Sequence, residues 1–231
     1  MFLARGSLEA QLTNLITQGD FETAVVTAPG VSDGQFFTDA QFDNPGDENW
    51  ISSTGNNYEL WQQGFLGSPT LGSDGLPTGQ HLEVRGQNSN GSVTISVVIP
   101  VGVLPGSEAT LQYDAWMRTT LPVPQIRVRR NGGILAGLNN ATITANNASW
   151  TQNTHIFTVS PGDTINIRFR NNTNNSTQSG LHLDDVQLLV TIIPEPGHVG
   201  AMLGAALLFS FLCRRSVSVH GLLIEGMFKK P

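Results

Sequence analysis

Hydrophobic and polar residues alternate with a period of two from about residue 80 to residue 192, the pattern of strands with one buried face. In Thr164–Arg170, Ile165, Ile167 and Phe169 fall on one side and polar residues on the other. His81–Gly86 turns Leu82 and Val84 inward, and Gln125–Arg130 turns Ile126 and Val128 inward. Along Leu111–Arg118, Leu111, Tyr113, Ala115 and Met117 point one way while Gln112, Asp114, Trp116 and Arg118 point the other. Ser92–Pro100 is more continuously apolar and reads as a strand covered on both faces, and Leu181–Ile192 reads as the closing strand. Asn131-Gly132-Gly133 offers a tight hairpin turn in which positive φ is tolerated. Pro105-Gly106 and Pro161-Gly162 supply further turns, and no long helical pattern or internal repeat interrupts the series. Strands at this spacing predict an all-β antiparallel sandwich.

The pattern changes after Ile192. Pro194-Glu195-Pro196 ends the domain, because proline continues neither a strand nor a helix interior. An apolar run, Val199–Cys213, follows and predicts a hydrophobic helix closed by Arg214-Arg215. About 15 residues at about 1.5 Å each span only about 22 Å, short of the roughly 30 Å hydrocarbon core of a bilayer. Such a segment suits transient rather than permanent anchoring, with the arginine pair held on the cytoplasmic side. The chain thus divides into a leader, residues 1–11; a sandwich domain, 12–192; the apolar segment, 193–215; and a tail, 216–231.

Composition narrows the functions. Only 13% of the 231 residues are charged and the net charge is −6. No lysine precedes Lys229, which argues against a nucleic-acid partner. The lone Cys213 lies in the apolar segment, so the sandwich carries no disulfide or thiol chemistry. Met1–Gln11 lacks the apolar core of a secretory signal. With an export-type tail present, the expectation is a misplaced start and a signal peptide lost upstream.

The order tripeptide, apolar run and arginine pair resembles the PEP-CTERM sorting signal of Gram-negative bacteria, although Ser216–Pro231 continues where that family usually stops. The resemblance implies transient residence in the inner membrane, processing by an exosortase, and delivery to the cell surface or an exopolysaccharide matrix. The residues alone also allow a buried C-terminal helix or a simple membrane tail. Within the domain, Asn14-Leu15-Ile16, Gly19-Asp20-Phe21-Glu22, Leu104-Pro105-Gly106, Ser149-Trp150 and Leu183-Asp184-Asp185-Val186 recur in order. Over Leu12–Ile192 they resemble galactose-binding-like jelly-roll modules, in particular carbohydrate-binding modules of families four, nine and twenty-two. The resemblance implies a jelly roll that binds polysaccharide.

Two constellations follow. If the first and last strands are neighbours, Glu22 meets Asp184 or Asp185, and converging carboxylates and carbonyls suit Ca²⁺. In the resembling modules such a calcium is structural, and Glu22 and the Asp184-Asp185 pair are the matching positions. Strict alternation turns only one of the two aspartates inward. The second constellation is a polar sheet face: Trp116 beside Asp114 and Arg118, extended by Glu83, Arg85, Arg127 and Arg129 if neighbouring strands align. An indole ring beside carboxylate and guanidinium groups can stack on a sugar's C–H face while fixed donors and acceptors meet its hydroxyls. Tyr58 and Trp61 would wall one end, with Trp50 a further loop candidate. The alternative reading puts Trp116 beneath a covering loop and Trp150 in the core. His81, His155 and His182 lack zinc-ligand spacing.

These readings favour a non-catalytic surface or matrix protein that binds polysaccharide. A self-associating matrix protein without a sugar site is the second class. A small glycoside hydrolase or lyase is the third, for which Asp114 with Glu83 is the single acid pair on a common face.

Overall fold

The computed structural model describes residues 10–16, 19–22, 34–37, 50–52, 58–62, 64, 68–71, 75, 79–84, 91–118, 123–171 and 180–193, those at 34–37, 52, 58, 59 and 62 by backbone alone. The jelly-roll unit runs from Gln11 to Ile192. Residues 1–9 of the expected leader and everything from Pro194 onward, including Pro194, Glu195, Pro196, Arg214, Arg215 and the expected hydrophobic helix, lie outside the described residues, and Gln11 already belongs to the first strand.

Among the described residues, thirteen strands form two antiparallel sheets. They are β1 (Gln11–Asn14), β2 (Gly34–Phe37), β3 (Ile51–Ser52), β4 (Tyr58–Gln62), β5 (Gln80–Val84), β6 (Ser92–Val98), β7 (Ser107–Met117), β8 (Gln125–Arg130), β9 (Gly133–Ile134), β10 (Ala141–Thr142), β11 (Thr151–Val159), β12 (Thr164–Arg170) and β13 (Leu181–Ile192). The first sheet runs β11-β7-β13-β5-β4-β2, with β1 paired to the far end of β13. The second runs β10-β8-β12-β6-β3, with β9 paired to β8. Inward residues of both sheets make one core: Leu82, Leu111, Tyr113, Leu183 and Leu188 from the first, and Ile95, Ile126, Val128, Ile165, Ile167 and Phe169 from the second. Tyr113 and Phe169 meet edge to face across it, ring centroids 4.9 Å apart. That geometry suits the positive ring edge and negative ring face.

The turns obey their local chemistry. Asn131 (φ 51°) and Gly132 (φ 81°) make the two-residue hairpin between β8 and β9. Two consecutive positive φ values match the right-handed twist of the flanking strands. Asn131 and Arg130 both reach Asp163, at 2.6 and 4.0 Å, tying this hairpin to the turn before β12. The Pro-Gly turns close with Ser107 N–H on Leu104 C=O and Asp163 N–H on Ser160 C=O.

Three expectations are corrected. β6 is covered on one face only: Val93, Ile95 and Val97 are buried, whereas Val98 is 64% exposed. Its outer row, Ser92, Thr94 and Ser96, is polar, so the apolar run is a one-faced strand with an exposed end. Trp50 is core rather than loop wall, buried with its ring 5.5 Å from Phe21. Trp150 is half-buried and packs on the opposite face of the first sheet.

Candidate ligand-binding faces

β13 fixes the meeting of the chain ends. A bulge between Asp184 and Gln187 breaks its ladder to β7, and Asp185 there has φ 48°. A bulge leaves backbone groups unpaired. The N-terminal segment takes them: Gly19 C=O accepts from Val186 N–H (2.9 Å), and Asn14 Oδ1 accepts from Leu188 N–H (3.0 Å). Pairing of β13 with β5 stops at Leu183↔Leu82. Beyond it the Gln80 N–H donates to Glu22 Oε1 instead of a strand carbonyl. Glu22 thus lies beside the bulge that carries Asp184 and Asp185. Asp184 is 6% exposed and accepts from Asp185 N–H at 2.9 Å, while Asp185 is half-buried. Asp184 is thus the more buried of the pair, on the face it shares with Asp114. These are oxygen donors, the kind Ca²⁺ takes. Among the described residues no three acidic, His or Cys side chains converge, so a cation here would complete its shell from backbone carbonyls and water.

Cross-strand partners share a face, so register sorts the candidate sugar-binding residues. His182 stands opposite both Trp116 and Glu83, Asp184 opposite Asp114, and His81 opposite Trp61. Trp116, Asp114, Glu83 and Trp61 therefore share the outer face of the first sheet, and Arg118 adjoins them at the end of β7. Tyr58 lies in β4 with its side chain outside the described residues.

This face is closed. Trp116 is 1% exposed, and His81 and His182 are fully buried. His182 packs against Trp61 at 4.6 Å, Trp116 at 4.7 Å and His81 at 5.0 Å between ring centroids. Trp150 covers His81 at 5.2 Å and donates its Nε1–H to Leu71 C=O at 3.1 Å. The loop between β4 and β5 thus contributes to a second, smaller core, and Trp116 is not the open platform that alternation alone suggests. None of the four ring nitrogens of His81 and His182 makes a hydrogen bond. Burial drives the His81 pKa down to about 3. Burial, then His81, then Arg118 hold His182 well below the ordinary histidine range. Both rings are neutral at pH 7. The signal for them was in the chain: His81 is two residues from Glu83 and His182 two from Asp184, so alternation assigns all four to one face.

Arg127 is corrected to the other sheet. β8 pairs with β12, setting Arg127 opposite Arg168, Arg129 opposite Asn166 and Gln125 opposite Arg170. β6 adds Thr94 opposite Arg168 and Ser92 opposite Arg170. The outer face of the second sheet is therefore open and polar. A groove of about 250 Å³ lies on it, lined by Thr94, Arg127, Arg129, Gly132, Asn166 and Arg168. Arg168 donates from Nε to Ser92 Oγ at 2.9 Å. Partial burial, then Arg127, Arg170 and Arg129, depress its pKa. Arg85 lies outside the described residues. Sequence reading missed Arg168, Arg170 and Asn166 because which strand neighbours β8 is not written in β8.

No protein-family model and no curated protein sequence matches the chain. Similar folds occur among solved structures. A family 35 carbohydrate-binding module from Clostridium thermocellum is 13% identical, with TM-score 0.39, over 67% of this chain and 96% of that one. A family 22 xylan-binding domain from Paenibacillus barcinonensis is 13% identical, with TM-score 0.41, over 63% and 87%. The N-terminal cellulose-binding domain of a Cellulomonas fimi β-1,4-glucanase is 20% identical, with TM-score 0.38, over 70% and 96%.

Proposed function

We propose that this chain is an exported, non-catalytic protein of the cell surface or exopolysaccharide matrix whose jelly-roll domain binds polysaccharide. The groove on the second sheet carries the reading. It is open, about 250 Å³ in volume, and lined by guanidinium, amide and hydroxyl groups on rigid strands. Such donors and acceptors match the hydroxyl-rich edge of a sugar chain, and strand-borne side chains hold their geometry better than loop-borne ones. Of the solved modules with a similar fold, one is described as xylan-binding and one as cellulose-binding; for this chain the groove, not the likeness, supports the reading. The export part of the proposal rests on the PEP-CTERM-like order of Pro194-Glu195-Pro196, Val199–Cys213 and Arg214-Arg215.

Filling the groove tests the site. Thr94→Trp places an indole over Arg127 and Arg168 and is expected to lower affinity for a bound glycan at least tenfold. Trp116→Ala is expected to lower the melting temperature by roughly 10 °C, through loss of about 3–5 kcal/mol of packing, with affinity per folded molecule unchanged. Affinity electrophoresis with parallel melting curves reads both. Lost affinity in a folded Trp116→Ala protein, with Thr94→Trp still binding, would move the site to the first sheet. The non-catalytic reading predicts no reducing-end release from any polysaccharide bound.

Calcium belongs to the same proposal as a structural ion held by Glu22 and one of Asp184 and Asp185. Neutralising carboxylates at the β13 bulge would hold the N-terminal segment down without touching the groove. At a calcium concentration about 100 times Kd, binding adds about 2.7 kcal/mol. For a domain of this size that is roughly 5–10 °C in melting temperature, reversed by EGTA. Identical melting curves with calcium and with chelator would remove the ion from the account.

A further inference from the structure

The groove differs from a site for neutral sugars in what lines it. Among the described residues of that face none is aromatic, so no ring is available for stacking on a pyranose. None is acidic either. Arg127, Arg129, Arg168 and Arg170 project from two adjacent strands, and Arg127 stands directly opposite Arg168. Like charges directly opposite on a sheet destabilise it. The face is the more pointed because the chain as a whole carries a net charge of −6. Arg130, by contrast, is engaged by Asp163 and by the Thr158 carbonyl at 2.8 Å. Arg129 Nε and Arg170 Nε are buried and make no hydrogen bond. Neighbouring strands lie about 4.8 Å apart and alternate residues along a strand about 6.7 Å apart. Arg127 and Arg168 thus stem from facing positions about 5 Å apart, with Arg129 one step along β8 on one side and Arg170 one step along β12 on the other, a diagonal row across the face.

We infer that the ligand of this groove is an anionic polysaccharide whose carboxylate or sulfate groups are received by Arg127, Arg129 and Arg168, with Arg170 a further cation one step along the same face. The inference rests on the carbohydrate reading above and narrows it. Guanidinium forks accept carboxylates and sulfates through paired, charge-assisted hydrogen bonds, and bound anions would remove the repulsion between Arg127 and Arg168. Nucleic acid is the less favoured polyanion. No aromatic platform for bases lies among the described groove residues, and the sandwich contains no lysine.

Affinity electrophoresis of the full-length protein through gels holding polygalacturonate, dextran sulfate, neutral dextran, xylan or a single-stranded oligonucleotide tests this. A net-negative protein is not held by a polyanion unless a local patch does it. Retardation by polygalacturonate or dextran sulfate is expected, and which of the two acts distinguishes carboxylate from sulfate. Dextran and xylan are expected to leave mobility unchanged. Raising salt from 50 to 500 mM, or the double substitution Arg127→Gln/Arg168→Gln, is expected to weaken retardation at least tenfold. That variant is expected to melt within a few degrees of wild type, the relieved Arg127–Arg168 repulsion offsetting the lost Arg168–Ser92 hydrogen bond, and a melting curve run in parallel shows that its loss of binding does not reflect unfolding. Retardation by a neutral glycan, with the double variant unaffected, overturns the anionic assignment and leaves carbohydrate binding standing. Retardation by none of the four glycans overturns both. Equal retention by the oligonucleotide, abolished by the same substitutions, overturns the polysaccharide assignment in favour of nucleic acid.

Discussion

Gly19→Ala is expected to destabilise the domain by about 3 kcal/mol or more, lowering its melting temperature by roughly 10 °C. A Cβ at this position falls 1.8 Å from the Val186 carbonyl oxygen and 2.7 Å from its carbon, with Ile16 Cγ2 at 3.1 Å behind it. Contacts this short force something to move, and neither side is free to. Gly19 C=O is held by Val186 N–H, and Asn14 holds the approach to it, accepting from the N–H of both Ile16 and Leu188 at 3.0 Å. The β-bulge in turn is fixed by β7 and β5 on its flanks. The substitution therefore costs either the docking of the N-terminal segment or the geometry of β13. Because that docking also sets Glu22 beside Asp184 and Asp185, the same variant is expected to lose any stabilisation that calcium gives wild type. A calorimetric melt with and without calcium measures both. An unchanged midpoint would mean that residues 14–22 do not pack on the bulge.

How far this architecture was legible depends on whether the deciding information is local. Thr164–Arg170, Gln125–Arg130 and Leu181–Ile192 read from alternation as strands with the bounds the structure gives them. The first two bury one face and show the other to water, so the side-chain period is the structural period, whereas Leu181–Asp184 of the third is buried on both faces. The Asn131-Gly132 hairpin was legible for the same reason, since its φ requirement sits within two residues. Ser92–Val98 misled because hydrophobicity stood in for burial: Val98 is apolar but caps the strand in solvent. Sheet membership is not local at all. Arg127 shares the polar side of its strand with Arg129, as alternation requires. That this side abuts Arg168 rather than Trp116 follows from the β8–β12 pairing, which no property of residues 125–130 specifies. The first sheet hides a further case. Asp114 and Trp116 look like surface residues by alternation, yet both are buried, Trp116 against His182, and a second layer has no period of its own.

The two outer faces consequently play different parts. The first sheet's polar side is sealed by Trp61, Trp116 and Trp150 around two neutral histidines, and contributes stability. The second sheet's polar side gives up stability by crowding four arginines, and retains an open groove. The aromatic residues stand on the face closed to solvent and the arginines on the open one, so the proposed recognition and the sealed packing are assigned to different sheets and can be tested apart.

Acidification from pH 7 to pH 5 is expected to destabilise the domain by about 2–4 kcal/mol, with a fall in melting temperature of roughly 10 °C. His81 takes up its proton near pH 6.5 in the unfolded chain but only at about 3 when folded. Between those values the unfolded state binds more protons, so stability is complete above about 6.5 and is lost progressively as pH falls toward 3. At pH 5 His81 alone accounts for about 2 kcal/mol, one pKa unit being worth about 1.4 kcal/mol. His182 is shifted in the same direction and adds to it. Glu83, Asp114 and Asp184 share this face and would favour imidazolium, whereas Arg118 and the other histidine oppose it. Burial is the largest influence on both rings, so the depressed direction prevails. His81→Leu/His182→Leu keeps nearly the same volume, leaves no orphaned partner because neither ring makes a hydrogen bond, and is expected to flatten the slope between pH 7 and pH 5. A wild-type slope in that double variant would assign the acid sensitivity to His155, which burial also shifts downward, or to carboxylates. His81 and His182 lie on the first sheet and the groove on the second, so polyanion binding by the molecules still folded is expected to persist while the midpoint falls, which separates loss of the first sheet's sealed layer from loss of the proposed binding face.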